Sequence, residues 1–416
     1  VKQNLRSLRH LFRYAIVFVT FLMLGSLMIG PDVFSYTMLY MEEQSTNDST
    51  FRIYNDDEKN YLLTATAVGT LIGMYPFNWL FSRYGARYTI ICAGLLSTIS
   101  TCLVPDCIDF SMVTAVIIRC IQGISYSADF SLVGLIVTRW SPISETAIIL
   151  SLLSSFTVIK AAVEMPLAGY MLGAYGWRSV YFAMGGIAFG STLLWTLIYS
   201  DHPRDSVATS IEIARIERGK ERTDNTQITV PYKAILTDVR VYALWIAAFV
   251  DTTASIMMMT YSAKFFAKIG YNPGENAIAV SLPGYAFLVG KIASGIASDS
   301  LRCVSEATKI RLFTFISLQL SAFVLLVIGL ITPGDRTLQL ILQIIFQFLI
   351  GGNVGAFYKG GVLMSGPYAF FVIGNVQLFK SLSSLLEPLL FIWIVHDDEF
   401  YQWQTFFYIH VGLLTL

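Results

Sequence analysis

Charge is scarce in this sequence. Only 13% of its 416 residues are Asp, Glu, Lys or Arg, against about 25% in a soluble domain, and the mean hydropathy is +0.61. That shortage excludes a free globular enzyme with a hydrated, charged surface. Cysteine is scarce too: Cys92, Cys102, Cys107, Cys120 and Cys303 show no metal-ligand spacing. Cys102 and Cys107 lie near the outer side and read first as free thiols at a helix end, with a disulfide between them as the alternative. Histidine is limited to His10, His202, His396 and His410, scattered and placed near helix ends or loops, so no histidine cluster for catalysis is expected. No phosphate-cradling glycine loop, zinc motif or nucleophile elbow is present. No enzyme activity, cofactor, metal or nucleic-acid partner is expected. The aromatic content of 14% needs no cofactor either, because Trp and Tyr at membrane interfaces and Phe toward lipid account for it.

What the chain does have is long apolar runs. A helix needs about 20 mainly apolar residues to cross a hydrocarbon core of ~30 Å. Such runs fall near 14–40, 60–80, 88–105, 111–138, 147–170, 178–199, 238–262, 276–298, 310–331, 337–358, 367–394 and 404–416. Their length and periodicity predict helices; barrel strands would be about 10 residues long and alternating. The expected fold is therefore an all-α membrane protein of about 12 transmembrane helices. The last run leaves about 13 residues, or about 20 Å at ~1.5 Å each, which is too short to span. Since the chain also begins at Val1, both ends are read as truncated.

The zero net charge hides a strong asymmetry. With the N-terminus in the cytoplasm, inner segments collect Lys and Arg, among them Arg6, Arg9, Arg13, Arg83, Arg87, Arg139, Arg204, Arg215 and Arg240. The outer loops are acidic, with Glu42, Glu43, Asp106, Asp109, Asp397, Asp398 and Glu399. The opposite orientation would place nearly all the basic residues outside. Asn47-Asp48-Ser49 is an N-glycosylation sequon in the first outer loop, on the side this topology predicts. Arg6, Arg9 and Arg13 before a long apolar run predict a first span rather than a cleaved signal peptide. A plasma membrane and a vesicular or lysosomal membrane are both compatible with this layout.

Residues 200–237 form the one long polar stretch between spans. They divide an N-terminal six-helix half (1–199) from a C-terminal six-helix half (238–416), with 200–237 as a cytoplasmic central loop. The halves echo each other: PFNWLFSRYGAR (76–87) and GKIASGIASDSLR (290–302) each put a small or broken helix end before an arginine at corresponding inner turns. Internal repeats of this kind mark secondary transporters. Further matches are Arg119, Gln122 and Gly123; Trp140, Pro142 and Glu145; 165–169 (MPLAG); Trp177, Ser179 and Val180; Pro283, Gly295, Asp299, Leu301 and Arg302; and 403–405 (WQT) with Tyr408. On these residues the chain resembles the major facilitator superfamily, and within it solute carrier family 17, which includes sialin, the vesicular glutamate transporters and the sodium–phosphate transporter relatives. The resemblance implies a major facilitator fold of two six-helix halves, with the last helix truncated here.

An ionisable residue at mid-bilayer costs roughly 2.5–3.5 kcal/mol on insertion scales, so it faces a cavity, finds a partner or lies near an interface. Arg119 lies inside the fourth helix. The resemblance implies that it faces the central cavity and meets an anionic solute, as a guanidinium can through paired hydrogen bonds; the alternative is a structural pair with a neighbouring acid. Lys160 and Glu164 share a face of the fifth helix, as a neutralised pair or as an ion pair that opens with solute or a proton. Asp251 in the seventh helix reads as a proton or cation carrier, or as the partner of a basic group across the bundle. Asp129 and Asp32 are further cavity candidates. Lys291, Lys359 and Lys380 near helix ends read as snorkelling, and Glu387-Pro388 as a kink with a local partner. For Arg83, Asp299 and Arg302 the resemblance implies inner-turn contacts that hold one conformation; Ser82 stands where an Asp is common.

The chain also departs from the family pattern. Gly30 stands where organic-anion carriers often have an arginine, Tyr126 where a glutamate follows the fourth-helix arginine, Gly134 where a histidine is expected, and Asp251 where glutamate carriers have an arginine. The resulting expectation is a secondary active transporter of organic or inorganic anions, coupled to protons or sodium, with Arg119 and Tyr126 at the solute. Glu164, Lys160, Asp129 and Asp251 are its coupling candidates, and Arg83, Asp299 and Arg302 its gate. A carrier of neutral or cationic solutes is the alternative within transport. A transport-inactive receptor or scaffold with the same fold is the alternative outside it.

Overall fold

The computed structural model describes residues 12–45, 56–220, 229–301, 303–333 and 335–416. Asn47 and Arg302, both singled out above, lie outside them. Among the described residues there are helices and no strands. Nine stretches of the described residues are long and apolar enough to cross a membrane, and two of these, at 53 and 59 residues, are long enough for two passages each at ~1.5 Å per residue.

Divided at their breaks, the helices run α1 (Phe12–Ser45), α2 and α3 (the two arms of Asp56–Phe110), α4 (Met112–Trp140), α5 (Ile143–Tyr175), α6 (Trp177–Ile198), α7 (Val239–Lys268), α8 (Pro273–Ser300), α9 (Glu306–Ile331), α10 (336–365), α11 (369–394) and α12 (Phe400–Thr415). This matches the expected fold class. Short helices Ser210–Glu217 and Tyr232–Leu236 lie between α6 and α7.

The breaks have local causes. α2 and α3 meet at Gly85, whose φ of 75° is a conformation that glycine adopts without a Cβ clash. A Cβ there would also sit 2.9 Å from the Asp201 carboxylate. α5 opens with a 3₁₀ turn (Ile143–Glu145), α9 contains a π-turn (Phe315–Leu320), and α10 is interrupted by a 3₁₀ turn at Gly351–Val354. Pro31, Pro166 and Pro388 lie inside α1, α5 and α11, where each removes an N–H from the helical ladder.

The helices expose many large apolar side chains, including Phe18, Ile72, Ile117, Phe182, Leu197, Phe323, Leu330, Leu389 and Trp393. In water that surface would drive aggregation; against lipid it is solvated, while the main-chain polar groups are satisfied inside the helices.

The chain divides into two compact units. The first comprises 1–143, 159–230 and 367–378; the second comprises 144–158, 231–366 and 379–416. The start of α5 thus groups with the second unit and the start of α11 with the first. In the first unit, Ile29, Val33, Phe34, Leu62, Ile118, Trp177, Tyr181 and Met184 form one apolar cluster. α2 and α4 cross through reciprocal glycine contacts: a Cβ on Gly69 would meet the Cys120 carbonyl oxygen at 2.0 Å, and one on Gly123 would meet that of Thr66 at 2.0 Å. In lipid, where no hydrophobic force drives helices together, such close approach supplies the packing. The second unit uses the same device between α8 and α10, with Gly290 against the Phe348 carbonyl and Gly351 against that of Phe287. It adds an aromatic cluster of Phe265, Phe391, Trp403, Phe406 and Phe407. Cys102 and Cys107 are free thiols.

Substitution separates the crossing glycines from the idle ones. Gly123→Ala pushes a methyl group into the α2 main chain and should cost about 1–3 kcal/mol, the usual penalty for overpacking, visible as a lower melting temperature in detergent. Gly169→Ala, with nothing within 4 Å of the new atom, should melt as the parent does.

Candidate functional site

Arg119 is held in the first unit by contacts from α1, from α2 and from its own helix, α4. Its side chain is bonded through Nε to the Leu62 carbonyl (3.3 Å), and through Nη1 to the Pro31 carbonyl (3.0 Å) and to Gln122 Oε1 (2.8 Å). The guanidinium lies over the Phe34 ring, 4.4 Å from its centroid. The residue is 1% exposed. All of these partners are neutral, and among the described residues no carboxylate comes within ion-pair range of it. The expected alternative of a structural acid pair is therefore not what the structure shows. Asp32 acts on it only through space. Main-chain and amide oxygens orient the guanidinium, and its charge has no direct counter-ion.

Gln122 continues this set, donating from Nε2 to Thr101 Oγ1 (3.2 Å). That bond occupies the space beside Gly30, where a Cβ would lie 2.3 Å from Thr101 Oγ1. The missing first-helix arginine thus has a steric reason: in this packing the position has no room for a side chain. Gly134 is explained in the same way, since a Cβ there would meet the Ala369 carbonyl at 2.6 Å. At the third departure, the Tyr126 hydroxyl interacts with Asp129 and with Gln377 of α11. Asp129 is fully buried.

Lys160, Glu164 and Asp32 come together. The Lys160 ammonium lies 2.7 Å from Glu164 Oε2 and also binds Asp32 Oδ2. Two carboxylates therefore share one ammonium. Glu164 is buried and its Oε1 has no hydrogen-bond partner among the described residues, whereas the Asp32 side chain is 33% exposed. The i, i+4 spacing made the Lys160–Glu164 contact predictable; the third member, from α1, was placed by the fold.

In the second unit, Asp251 on α7 is buried and accepts at Oδ2 from Asn353 Nδ2 (2.9 Å), while its Oδ1 has no hydrogen-bond partner among the described residues. Asn353 belongs to the 3₁₀ interruption of α10, which presents an amide at this depth. Lys291 on α8 acts on Asp251 through space, donates to the Ser154 carbonyl (2.9 Å) and lies 4.5 Å from the centroid of the Phe287 ring. Lys291 and Lys359 are both buried, which corrects the expectation that they snorkel. The hydrogen-bonding groups that meet them come from neighbouring helices and have no sequence periodicity.

The inner turns hold two charge clasps. In the first unit, Asp201 accepts from the Ala86 N–H (2.8 Å) and the Arg87 N–H (3.3 Å) at the start of α3, and Arg139 Nη1 lies 2.9 Å from its Oδ1. A carboxylate at a helix N-terminus is favoured by the helix dipole. Asp201, a loop residue that neither motif nor spacing picks out, anchors the turn that has Ser82 in place of an acid. Arg83 is exposed, its guanidinium 5.9 Å from the centroid of the Trp79 ring. In the second unit, Asp299 Oδ2 accepts from the Ile148 N–H (2.8 Å) at the start of the helical part of α5. Its Oδ1 lies 2.9 Å from Lys359 Nζ, which also binds Glu306 at 2.8 Å.

Paired inner clasps, broken helices and charges buried at membrane depth define a multi-pass membrane transporter. The comparisons agree. Residues 16–386 match the family model described as Major Facilitator Superfamily, and the chain belongs to that superfamily. It is 23% identical to human sialin, over 86% of this chain and 74% of that protein. It is 23% identical to human sodium-dependent phosphate transport protein 1, over 81% of this chain and 72% of that protein. It is 24% identical to "Probable galactarate/D-glucarate transporter GudP" of Bacillus subtilis (strain 168), over 81% and 77%. The resemblance to family 17 carriers is borne out by these relatives. Among solved structures, the proton:xylose symporter XylE aligns with a TM-score of 0.69 at 14% identity, covering 97% of this chain and 95% of that one. FucP in the outward conformation aligns with a TM-score of 0.69 at 13% identity, covering 97% of each.

The second-unit clasp can be tested by removing its cation. Lys359→Met leaves the buried Asp299 carboxylate without its partner, a change that costs about 3–5 kcal/mol in buried pairs. The variant should melt well below the parent in detergent. An unchanged melting temperature would show that the clasp contributes nothing to stability.

Proposed function

We propose that this transporter is a secondary active carrier of a small organic or inorganic anion, coupled to protons or sodium and working by alternating access. The observation that supports this reading best is Arg119: a guanidinium inside a membrane-spanning helix, oriented by neutral oxygens, with no counter-ion in contact among the described residues. A buried cation without an ionic partner is costly, and an anionic solute would supply the missing charge. The relatives named for phosphate, for galactarate and D-glucarate, and sialin fit a solute bearing phosphate or carboxylate. Arg119 meets that group in this reading, and Tyr126 lies on the same helix, two turns further along.

Coupling is assigned to the acids. Glu164 shares Lys160 with Asp32, so the set carries one negative charge too many when both acids are ionised, and a proton or sodium ion would balance it. Asp251, with one oxygen free, is the counterpart in the second unit, and Asp129 beside Tyr126 is a further candidate. Arg83, Asp299 and Arg302 are assigned to the gate. The halves 1–199 and 238–416 are taken as the parts that rock, with 200–237 as their link. The excess of acid around Lys160 favours one second reading, a carrier of neutral or cationic solutes.

The test is uptake into proteoliposomes of labelled phosphate, urate, glutamate, sialic acid and D-glucarate under an imposed pH, sodium or voltage gradient. Uptake of one of these anions should fall about tenfold or more in Arg119→Lys, because a lone ammonium cannot reproduce charge-assisted bonds in a fixed fork worth about 1.5–3 kcal/mol. Glu164→Gln should keep solute exchange and lose accumulation driven by the gradient. Uptake unchanged in Arg119→Ala would sink the anion reading.

A further inference from the structure

The second unit contains a buried acid–base pair that the reading above does not use. Glu387 of α11 and His410 of α12 are both 0% exposed, with His410 Nε2 lying 3.2 Å from Glu387 Oε1 and 3.3 Å from Oε2. His410 Nδ1 is 2.8 Å from the Phe406 carbonyl. A carbonyl oxygen only accepts, so Nδ1 carries a hydrogen, and Nε2 is the nitrogen that faces the acid. This corrects the expectation that every histidine lies at a helix end or in a loop: α12 begins at Phe400, and its inward face carries His410 into the core.

We propose that Glu387 and His410 form an internal proton site that the transport cycle loads and unloads. With one proton between them the pair is neutral overall, either as carboxylic acid and imidazole or as carboxylate and imidazolium. Removing that proton leaves a lone carboxylate, and adding another leaves a lone imidazolium. Either state is a buried uncompensated charge, so the sealed conformation retains one proton. The rings around the pair enforce this: Phe406 lies 4.8 Å from the His410 ring, and Phe391 lies 5.3 Å from Phe406, centroid to centroid.

The surrounding elements offer little to replace the proton. α7 presents Tyr261, whose ring stacks on Phe391 at 3.9 Å and which acts on Glu387 through space. One turn on, Lys264 Nζ lies 5.0 Å from the centroid of the Phe391 ring and 3.8 Å from Asp398. α9 carries no charged residue over 312–331, and its Gln319 is bonded to the Leu414 carbonyl. α12 has no Asp, Glu, Lys or Arg over 400–415, and on α11 Lys380 is two turns away. Pro388 follows Glu387 directly and lacks the N–H that would hold the Ser384 carbonyl, so α11 is weakest at the turn that bears the acid. When α11 bends there, the proton passes from the pair to water, and Glu387 and His410 take it up again on the return. No other bond changes. The proposal requires a transporter and is independent of the charge of its solute.

Proton movement by the full chain tests it. In proteoliposomes with a trapped pH indicator, gradients of phosphate, D-glucarate and D-xylose are the probes. The solute that moves should carry protons with it, and Glu387→Gln should cut that proton movement about tenfold or more while solute-for-solute exchange continues. His410→Gln should do the same, and it provides the test if Glu387→Gln does not fold. Proton movement equal to the parent's in either variant, or absent from the parent with every probe, would reduce the pair to a static link and overturn the proposal.

Discussion

Lipid offers no hydrogen bonds, and every polar group carried into the bilayer must be satisfied by the chain itself. Most of what is distinctive in this structure answers that constraint. Arg119 is fixed by main-chain carbonyls of α1 and α2 and by the amide of Gln122, partners that orient a guanidinium without cancelling its charge. Lys160 is handled differently, between two carboxylates. The two cations lie in the same unit and are held in opposite electrostatic conditions. One has only neutral partners among the described residues, and the other is already paired with acids.

The glycines make that economy possible. Where α2 crosses α4 and α8 crosses α10, main chains approach so closely that a single methyl group would collide with a carbonyl oxygen. Close approach of α2 and α4 brings the Leu62 carbonyl within reach of Arg119. Gly30 and Gly134 extend the principle to the departures from the family pattern. In both places, what reads as a missing charged side chain is a position already filled by the neighbouring helix.

The fold was legible in the sequence because the bilayer imposes it at every position of a span. Run length, the basic inner turns and the repeat of 76–87 in 290–302 all report that one solvent. The sites were legible only where helical spacing suffices. Lys160 and Glu164 lie four apart on one helix, so their contact followed from periodicity alone. Asp32 joining them, Asn353 meeting Asp251, Asp201 clamping the start of α3 and His410 reaching Glu387 each depend on which helix lies beside which. That adjacency leaves no local trace in composition or spacing. Asp201 illustrates the limit: it is one acid in a polar loop, and its two oxygens matter because Gly85 turns the chain so that two N–H groups point at them.

Asp299 divides its two oxygens between unlike partners, one facing the start of a helix and the other a lysine. A carboxylate is planar and rigid, so turning it moves both oxygens at once. The helix start and the lysine are therefore tied through one small group, and any rotation of Asp299 strains both contacts together.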